Sequence, residues 1–373
     1  TGLTACAALA PSAAGGGRTV RARWALGQGD LVVASPVLAA VTFEEQKDRL
    51  CAGCLALVPE GLHLPCEACG QVFFCSRPCR RRALSPSGDA LGAPHAAACP
   101  ILRRWGDVVD ETGASGQALT LLRLVLQVYA RDLGATQDAL QPDASPQRPC
   151  TLAFASPLAA LRQLHWHPPA SEKGAVTGPS AIDGAVWERL ARWFLEAVAA
   201  SPLQTVAPCD AEALYADVSR LGCNCFSLED GHGGVVGHAL YPAAAVAFNH
   251  DCEPNCCVED TEDEPSAAAT VNACRWGSAA TDLRIRTLRG VAEGEELTLS
   301  YLSEGLPRTA RRRRLAMHYQ FDCACSRCMR EGGAASQPRL AVMAQPRSGE
   351  DLIRRSCLRD GAFLAQVAAW LLP

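Results

Sequence analysis

The sequence predicts an α+β fold of short sheets, an expectation carried by three observations. Strand-like runs of alternating apolar residues stand toward the start of the chain and again past its middle. Helix-spaced apolar residues fill the stretch between them. The 20 cysteines of the 373-residue chain fall largely into short pairs. Hydrophobic residues make up 49% of the chain, enough to bury a sizeable core in two or three compact units.

Residues 1–16 are small and rich in Gly and Ala, and are expected to fray. Val20, Ala22 and Trp24, then Leu31, Val33 and Val37, alternate on either side of Gly27-Gln28-Gly29-Asp30, which reads as two strands joined by a turn. Past the cysteine-rich residues 51–99, Ser115 is a candidate cap for a helix with Leu119, Leu122, Val125, Leu126 and Tyr129 on one face, ending at Gly134. Residues 135–180, rich in Pro, Ala and Ser, read as a long loop. Asp183 would cap a second helix that buries Val186, Leu190, Trp193, Phe194 and Ala197. A third runs from Asp210 to Leu221 and stops at Gly222. Thr270–Ala273, Leu283–Thr287 and Glu296–Leu299 are strand candidates, and Glu259–Glu264 an acidic, solvated turn. A short helix is expected around Phe363, Val367 and Trp370.

The formal net charge of -4 opposes a role in coating nucleic-acid phosphates, and no apolar run reaches the length of a membrane span. The cysteines fit metal binding better than a disulfide framework, because they stand in short pairs with a histidine nearby. Cys51-x2-Cys54, Cys66-x2-Cys69, Cys75-x3-Cys79 and His95-x3-Cys99 offer eight thiolate or imidazole ligands. Zinc takes four such ligands in a tetrahedron, so eight imply two ions, while calcium and magnesium would call for oxygen. Cys323-x-Cys325-x2-Cys328 offers three more, one short of a closed site, with Cys252 and Cys256 both available for the fourth place.

Two further motifs carry the functional reading. They are Asn249-His250-Asp251-Cys252-Glu253-Pro254-Asn255 and, later, Gly294-Glu295-Glu296-Leu297-Thr298-Leu299-Ser300-Tyr301. In this order, and followed by the CxCxxC segment, they resemble the signature of SET-domain protein lysine methyltransferases. The cysteine block, with Phe74-Cys75-Ser76, resembles a MYND zinc finger. The resemblance to the SET and MYND family implies an N-terminal part of the SET domain at 1–50, the finger at 51–99, a helical insert at 100–215, the core SET domain at 216–302, a post-SET zinc segment at 303–330 and a short tail at 331–373.

It also implies ligand sets and roles. Cys51, Cys54, Cys75 and Cys79 would hold one zinc, Cys66, Cys69, His95 and Cys99 a second, and Cys252 with Cys323, Cys325 and Cys328 a third. S-adenosylmethionine would be contacted by Gly17, Arg18, Asn224, Asn249, His250, Tyr301 and Phe321. Tyr301 and Phe226 would line the lysine channel. Thr19 stands where the family often has glycine, and Asp251 where it commonly has serine. The implied partners are a lysine-bearing protein, histone or not, and proline-rich peptides at the finger, in the nucleus or cytoplasm. The alternative is an inactive adaptor, which the presence of Asn249, His250 and Tyr301 disfavours. Arg311–Arg314 is read as a solvated helix face rather than an import signal.

Overall fold

The structure is a computed structural model. It describes residues 6–11, 18–35, 37–59, 61–85, 95–138, 156–165, 184–230, 234–245, 248–259, 283–302 and 305–332. Gly17, Asp183, Thr270–Ala273 and the helix expected around Phe363 lie outside these residues.

The fold is α+β, as expected. In chain order the strands are β1 (Ala7–Pro11), β2 (Arg18–Ala22), β3 (Leu31–Ser35), β4 (Ala39–Thr42), β5 (Leu64–Pro65), β6 (Phe73–Phe74), β7 (Phe226–Glu229), β8 (Val235–Leu240), β9 (Asn249–His250), β10 (Cys256–Val258), β11 (Leu283–Thr287) and β12 (Glu296–Leu299). The helices are α1 (Arg77–Leu84), α2 (His95–Leu102), α3 (Val108–Thr112), α4 (Gly116–Asp138), α5 (Pro157–Arg162), α6 (Gly184–Ala199), α7 (Ala211–Asn224), α8 (Pro242–Ala245), α9 (Arg308–Tyr319) and α10 (Ser326–Arg330). Among the described residues the strands form small sheets in the orders β1-β2-β12-β9, β10-β11-β3, β4-β8-β7 and β5-β6.

Several expectations are corrected. Ala7–Pro11 is not frayed; it pairs antiparallel with β2 from Ala7↔Ala22 to Pro11↔Arg18, because β2 offers an open edge to an otherwise weak strand former. Helix α4 runs past Gly134 to Asp138, and α7 past Gly222 to Asn224. A glycine lowers helix stability by only about 1 kcal/mol, which tertiary packing overrides. The stretch read as one long loop contains α5.

The helical middle folds as its spacing dictates. Ser115 Oγ accepts from Ala118 N–H at 3.3 Å and Asp210 Oδ1 from Ala213 N–H at 2.8 Å, so both caps form. Leu119, Leu122, Val125, Leu126 and Tyr129 are buried on α4, each leucine worth about 1.5–3 kcal/mol. One further face of α4 completes the edge of the β4-β8-β7 sheet. Arg123 Nη1 donates to Thr42 O, Gln127 Oε1 accepts from Ala40 N–H, and Arg131 Nη1 donates to Val37 O, residues four apart along the helix. Gly237 on β8 is pressed against the Val41 carbonyl so closely that a Cβ there would overlap it.

The region around the two motifs is held by a buried side chain. β9 lies parallel to β12, with Asn249 opposite Thr298 and His250 opposite Leu299. Asn255, 2% exposed, then turns back onto the same strand. Its Nδ2 donates to Glu295 Oε1 at 3.2 Å and to Glu296 O at 2.7 Å, while its Oδ1 accepts from Thr298 N–H at 2.9 Å. Asp251, the departure from serine, closes the turn by accepting Glu253 N–H on Oδ1 at 2.8 Å.

Replacing Asn255 by alanine strands a buried N–H and C=O. The variant should lose about 2–4 kcal/mol. Thermal unfolding should show this as a midpoint lowered by roughly 3–5 °C; an unchanged midpoint would mean that the crosslink is dispensable.

Candidate functional site

Among the described residues, three groups of side chains converge as possible metal sites. They are Cys51, Cys54, Cys75 and Cys79; Cys66, Cys69, His95 and Cys99; and Cys252, Cys323, Cys325 and Cys328, with the ligand atoms of each group within 4.8 Å of one another. Local structure explains each convergence. Ser76 caps α1 by accepting Cys79 N–H, which brings Cys79 back beside Cys75. Gly70, at φ +65°, completes the turn that folds Cys69 over Cys66. His95 and Cys99 stand one turn apart on α2. Cys325 caps α10, and its Sγ accepts Cys328 N–H at 3.5 Å.

The spacing suits a tetrahedral cation. With metal–sulfur bonds of ~2.3 Å, a tetrahedron has sulfur–sulfur edges of ~3.8 Å. The observed separations are 3.7 Å for Cys54–Cys75, 3.5 Å for Cys75–Cys79, 3.9 Å for Cys66–Cys99, 3.9 Å for Cys252–Cys323 and 3.6 Å for Cys252–Cys328. His95 Nε2 lies 3.2 Å from Cys66 Sγ and 3.5 Å from Cys69 Sγ. None of these cysteines carries a disulfide. Burial pushes the Cys252 thiol up to about 11, against the pull of Arg311. The donor set therefore fits zinc at all three positions. Cys256, the other candidate for the third set, is buried in β10 and is not among its members.

The basic run in α9 departs from a solvated face. Arg311 is 3% exposed. Its Nε donates to Cys252 Sγ at 3.2 Å, while Nη2 donates to Cys328 Sγ at 3.6 Å and Glu331 Oε2 at 2.7 Å. A cation beside four sulfurs offsets the charge that a zinc-bound thiolate cluster would carry. Arg312 pairs with Asp322, and Arg313 is the exposed member of the run.

Next to this group lies the predicted cofactor and lysine site. Asn249 Nδ2 donates to Arg18 O at 3.0 Å and to Glu296 Oε1 at 2.8 Å. His250 Nδ1 accepts Tyr301 N–H at 3.0 Å, so the ring proton resides on Nε2, 3.3 Å from Cys252 Sγ. Burial, helped by the Arg311 charge, lowers His250 to about 4, keeping the ring neutral. Tyr301 O–H donates to Phe248 O at 2.5 Å. Burial first, then the Glu296 carboxylate, raises Tyr301 well above the usual phenol range.

An aromatic cluster surrounds this centre. The Tyr301 ring lies 5.3 Å from His250 and 4.8 Å from Tyr319, and Phe321 lies 6.1 Å from His250. Tyr319 is absent from the residues that the resemblance implies. The Tyr-x-Phe spacing just before CxCxxC is the signal that points to it. Phe226 lies in a different pair, edge to face with Tyr241 at 5.7 Å in the β4-β8-β7 sheet. Asn224 ends α7, with Nδ2 donating to Arg220 O at 2.7 Å and His165 O at 2.8 Å. Arg18 Nη2 donates to Gln163 O, so the segment after α5 touches both Arg18 and Asn224. Glu295, held down to about 2 by its hydrogen bond from Arg289, is a fixed charge that orders the turn before β12.

Metal content provides a direct check of the three groups. The purified chain should carry near three zinc ions, and Cys323→Ser near two, by elemental analysis. A wild-type value near two, unchanged by Cys323→Ser, would remove the third site.

Comparison with known proteins follows the same lines. The SET domain family model matches residues 17–302. Histone-lysine N-methyltransferase Smyd1 of Mus musculus is 24% identical over 346 residues, covering 91% of this chain and 59% of its own length. Histone-lysine N-methyltransferase ASHR2 of Arabidopsis thaliana is 28% identical over 327 residues, covering 84% of this chain and 70% of its own. N-lysine methyltransferase SMYD2-B of Danio rerio is 24% identical over 314 residues, covering 84% and 58%. The chain thus spans about three-fifths of the length of the Smyd1 relative. With its two motifs joined in one site, the chain belongs to the SET-domain family.

Proposed function

We propose that this chain is an S-adenosylmethionine-dependent protein-lysine N-methyltransferase acting on histone or non-histone lysines, with three structural zinc ions. The observation that carries the reading is that Asn249, bonded to Glu296 on β12, and its neighbour His250, bonded to Tyr301 N–H, meet beside Tyr319 and Phe321.

The chemistry asks for positioning and for desolvation. A lysine ammonium titrates near ~10.4, roughly 3 units above neutral, and an apolar aromatic channel lowers that value by disfavouring the charged form. Tyr301, Tyr319 and Phe321 are the side chains available for such walls. Tyr301 stays protonated at neutral pH and does not take the substrate proton. Its hydrogen is committed to the Phe248 carbonyl, so its oxygen is left to accept from the incoming amine. S-adenosylmethionine, when bound, supplies the electrophilic methyl group. Arg18 and Asn224 would hold its amino-acid end together with Asn249. The neutral His250 fixes Tyr301 N–H on one side and faces Cys252 on the other, so zinc at the third site would brace the channel.

The test is labelling of a lysine-peptide array with radiolabelled S-adenosylmethionine. Tyr301→Phe should lower kcat by about 100-fold, and Asn249→Ala should raise the KM for the cofactor by about tenfold. Folded, zinc-loaded protein that neither binds the cofactor nor labels any lysine would overturn the reading.

A further inference from the structure

We propose that Glu296 is a positioning residue for cofactor recognition: it locks the Asn249 amide so that Oδ1 accepts from the amino group of S-adenosylmethionine. The inference rests on the methyltransferase reading above and deepens it.

Asn249 Nδ2 has two hydrogens, and both are engaged: one with Arg18 O at 3.0 Å, the other with Glu296 Oε1 at 2.8 Å. Rotating the amide by half a turn would set Oδ1 against a carbonyl and a carboxylate, acceptors that offer it no hydrogen. The orientation is therefore fixed by chemistry. Oδ1 accepts no hydrogen bond among the described residues and is the group left to a ligand. A lone acceptor suits a donor-only group such as an ammonium, not a carboxylate.

Glu296 adds charge to geometry. An ionised acceptor strengthens the bond from Nδ2 and polarises the amide, making Oδ1 a better acceptor on its far side. Arg18 O can hold the orientation alone only in part, because one acceptor facing Oδ1 is a weaker obstacle than two. Glu296 is itself held in place by β12. Its backbone carbonyl receives Asn255 Nδ2 at 2.7 Å, and its register against Arg21 on β2 aligns it with the strand that carries Arg18. The neighbouring Glu295 is spent on Arg289, Ala292 N–H and Asn255, so the two adjacent carboxylates have separate roles.

The experiment is calorimetric binding of two ligands to the zinc-loaded chain: S-adenosylhomocysteine and its analogue with the amino group replaced by hydrogen. Glu296→Ala should weaken S-adenosylhomocysteine binding by about tenfold, yet leave the deaminated analogue within about twofold of its wild-type value. Glu296→Gln keeps an oxygen for Nδ2 and should hold S-adenosylhomocysteine within about threefold of wild type. Equal losses for both ligands, or no loss for either, would overturn the proposal while wild-type binding stands. Absence of wild-type binding would overturn the methyltransferase reading, and this inference with it.

Discussion

Asn255 is the constraint on which the geometry of the site depends. Its amide bonds to Glu295, Glu296 and Thr298, pinning the segment that begins at Asn249 against the strand that leads to Tyr301. The candidate functional side chains stand close to that crosslink along the chain. Asn249 and His250 precede it in β9, Cys252 lies in the turn between, and Tyr301 follows β12. Two stretches distant in sequence thus become one rigid unit. A buried amide with both ends satisfied stabilises such a unit because any slip in register would leave its partners unpaired in the interior.

The same unit joins the third cysteine group to the candidate cofactor site. Cys252 contributes to the third cysteine group, and His250 stands between that sulfur and the Tyr301 backbone. Arg311 reaches the group from α9, so a cation covers sulfur that burial alone would keep protonated. The segment that supplies Cys323, Cys325 and Cys328 also brings Tyr319 and Phe321 to Tyr301 and His250. One segment therefore supplies both the three cysteines of that group and two rings of the aromatic cluster. The methyl-transfer chemistry proposed for the site needs this kind of fixed apposition more than it needs an acid or a base.

Much of this was legible in the sequence because the physics is local. Short cysteine spacings and the caps at Ser115 and Asp210 each announce their structure within a few residues. Which cysteine pair joins which was legible only by resemblance, since Cys51 and Cys75 meet through the tertiary fold. The missed features have the same cause. Ala7–Pro11 has weak strand propensity and becomes a strand because β2 presents an edge. Arg311 carries the same side chain as its three neighbours in the run, and only the arrival of Cys252 distinguishes it. The partners of Asn249 and Asn255 lie on β12, far along the chain, so the roles of Glu295 and Glu296 emerge only in three dimensions.

The most direct measurement is a crystal structure of the zinc-loaded chain with S-adenosylhomocysteine and a lysine peptide. The expected result places the ligand's amino group within hydrogen-bond distance of Asn249 Oδ1 and the lysine side chain against Tyr301 and Tyr319. A ligand bound away from Asn249 and His250, or a lysine entering elsewhere, would contradict the claim that the two motifs form one methyl-transfer site.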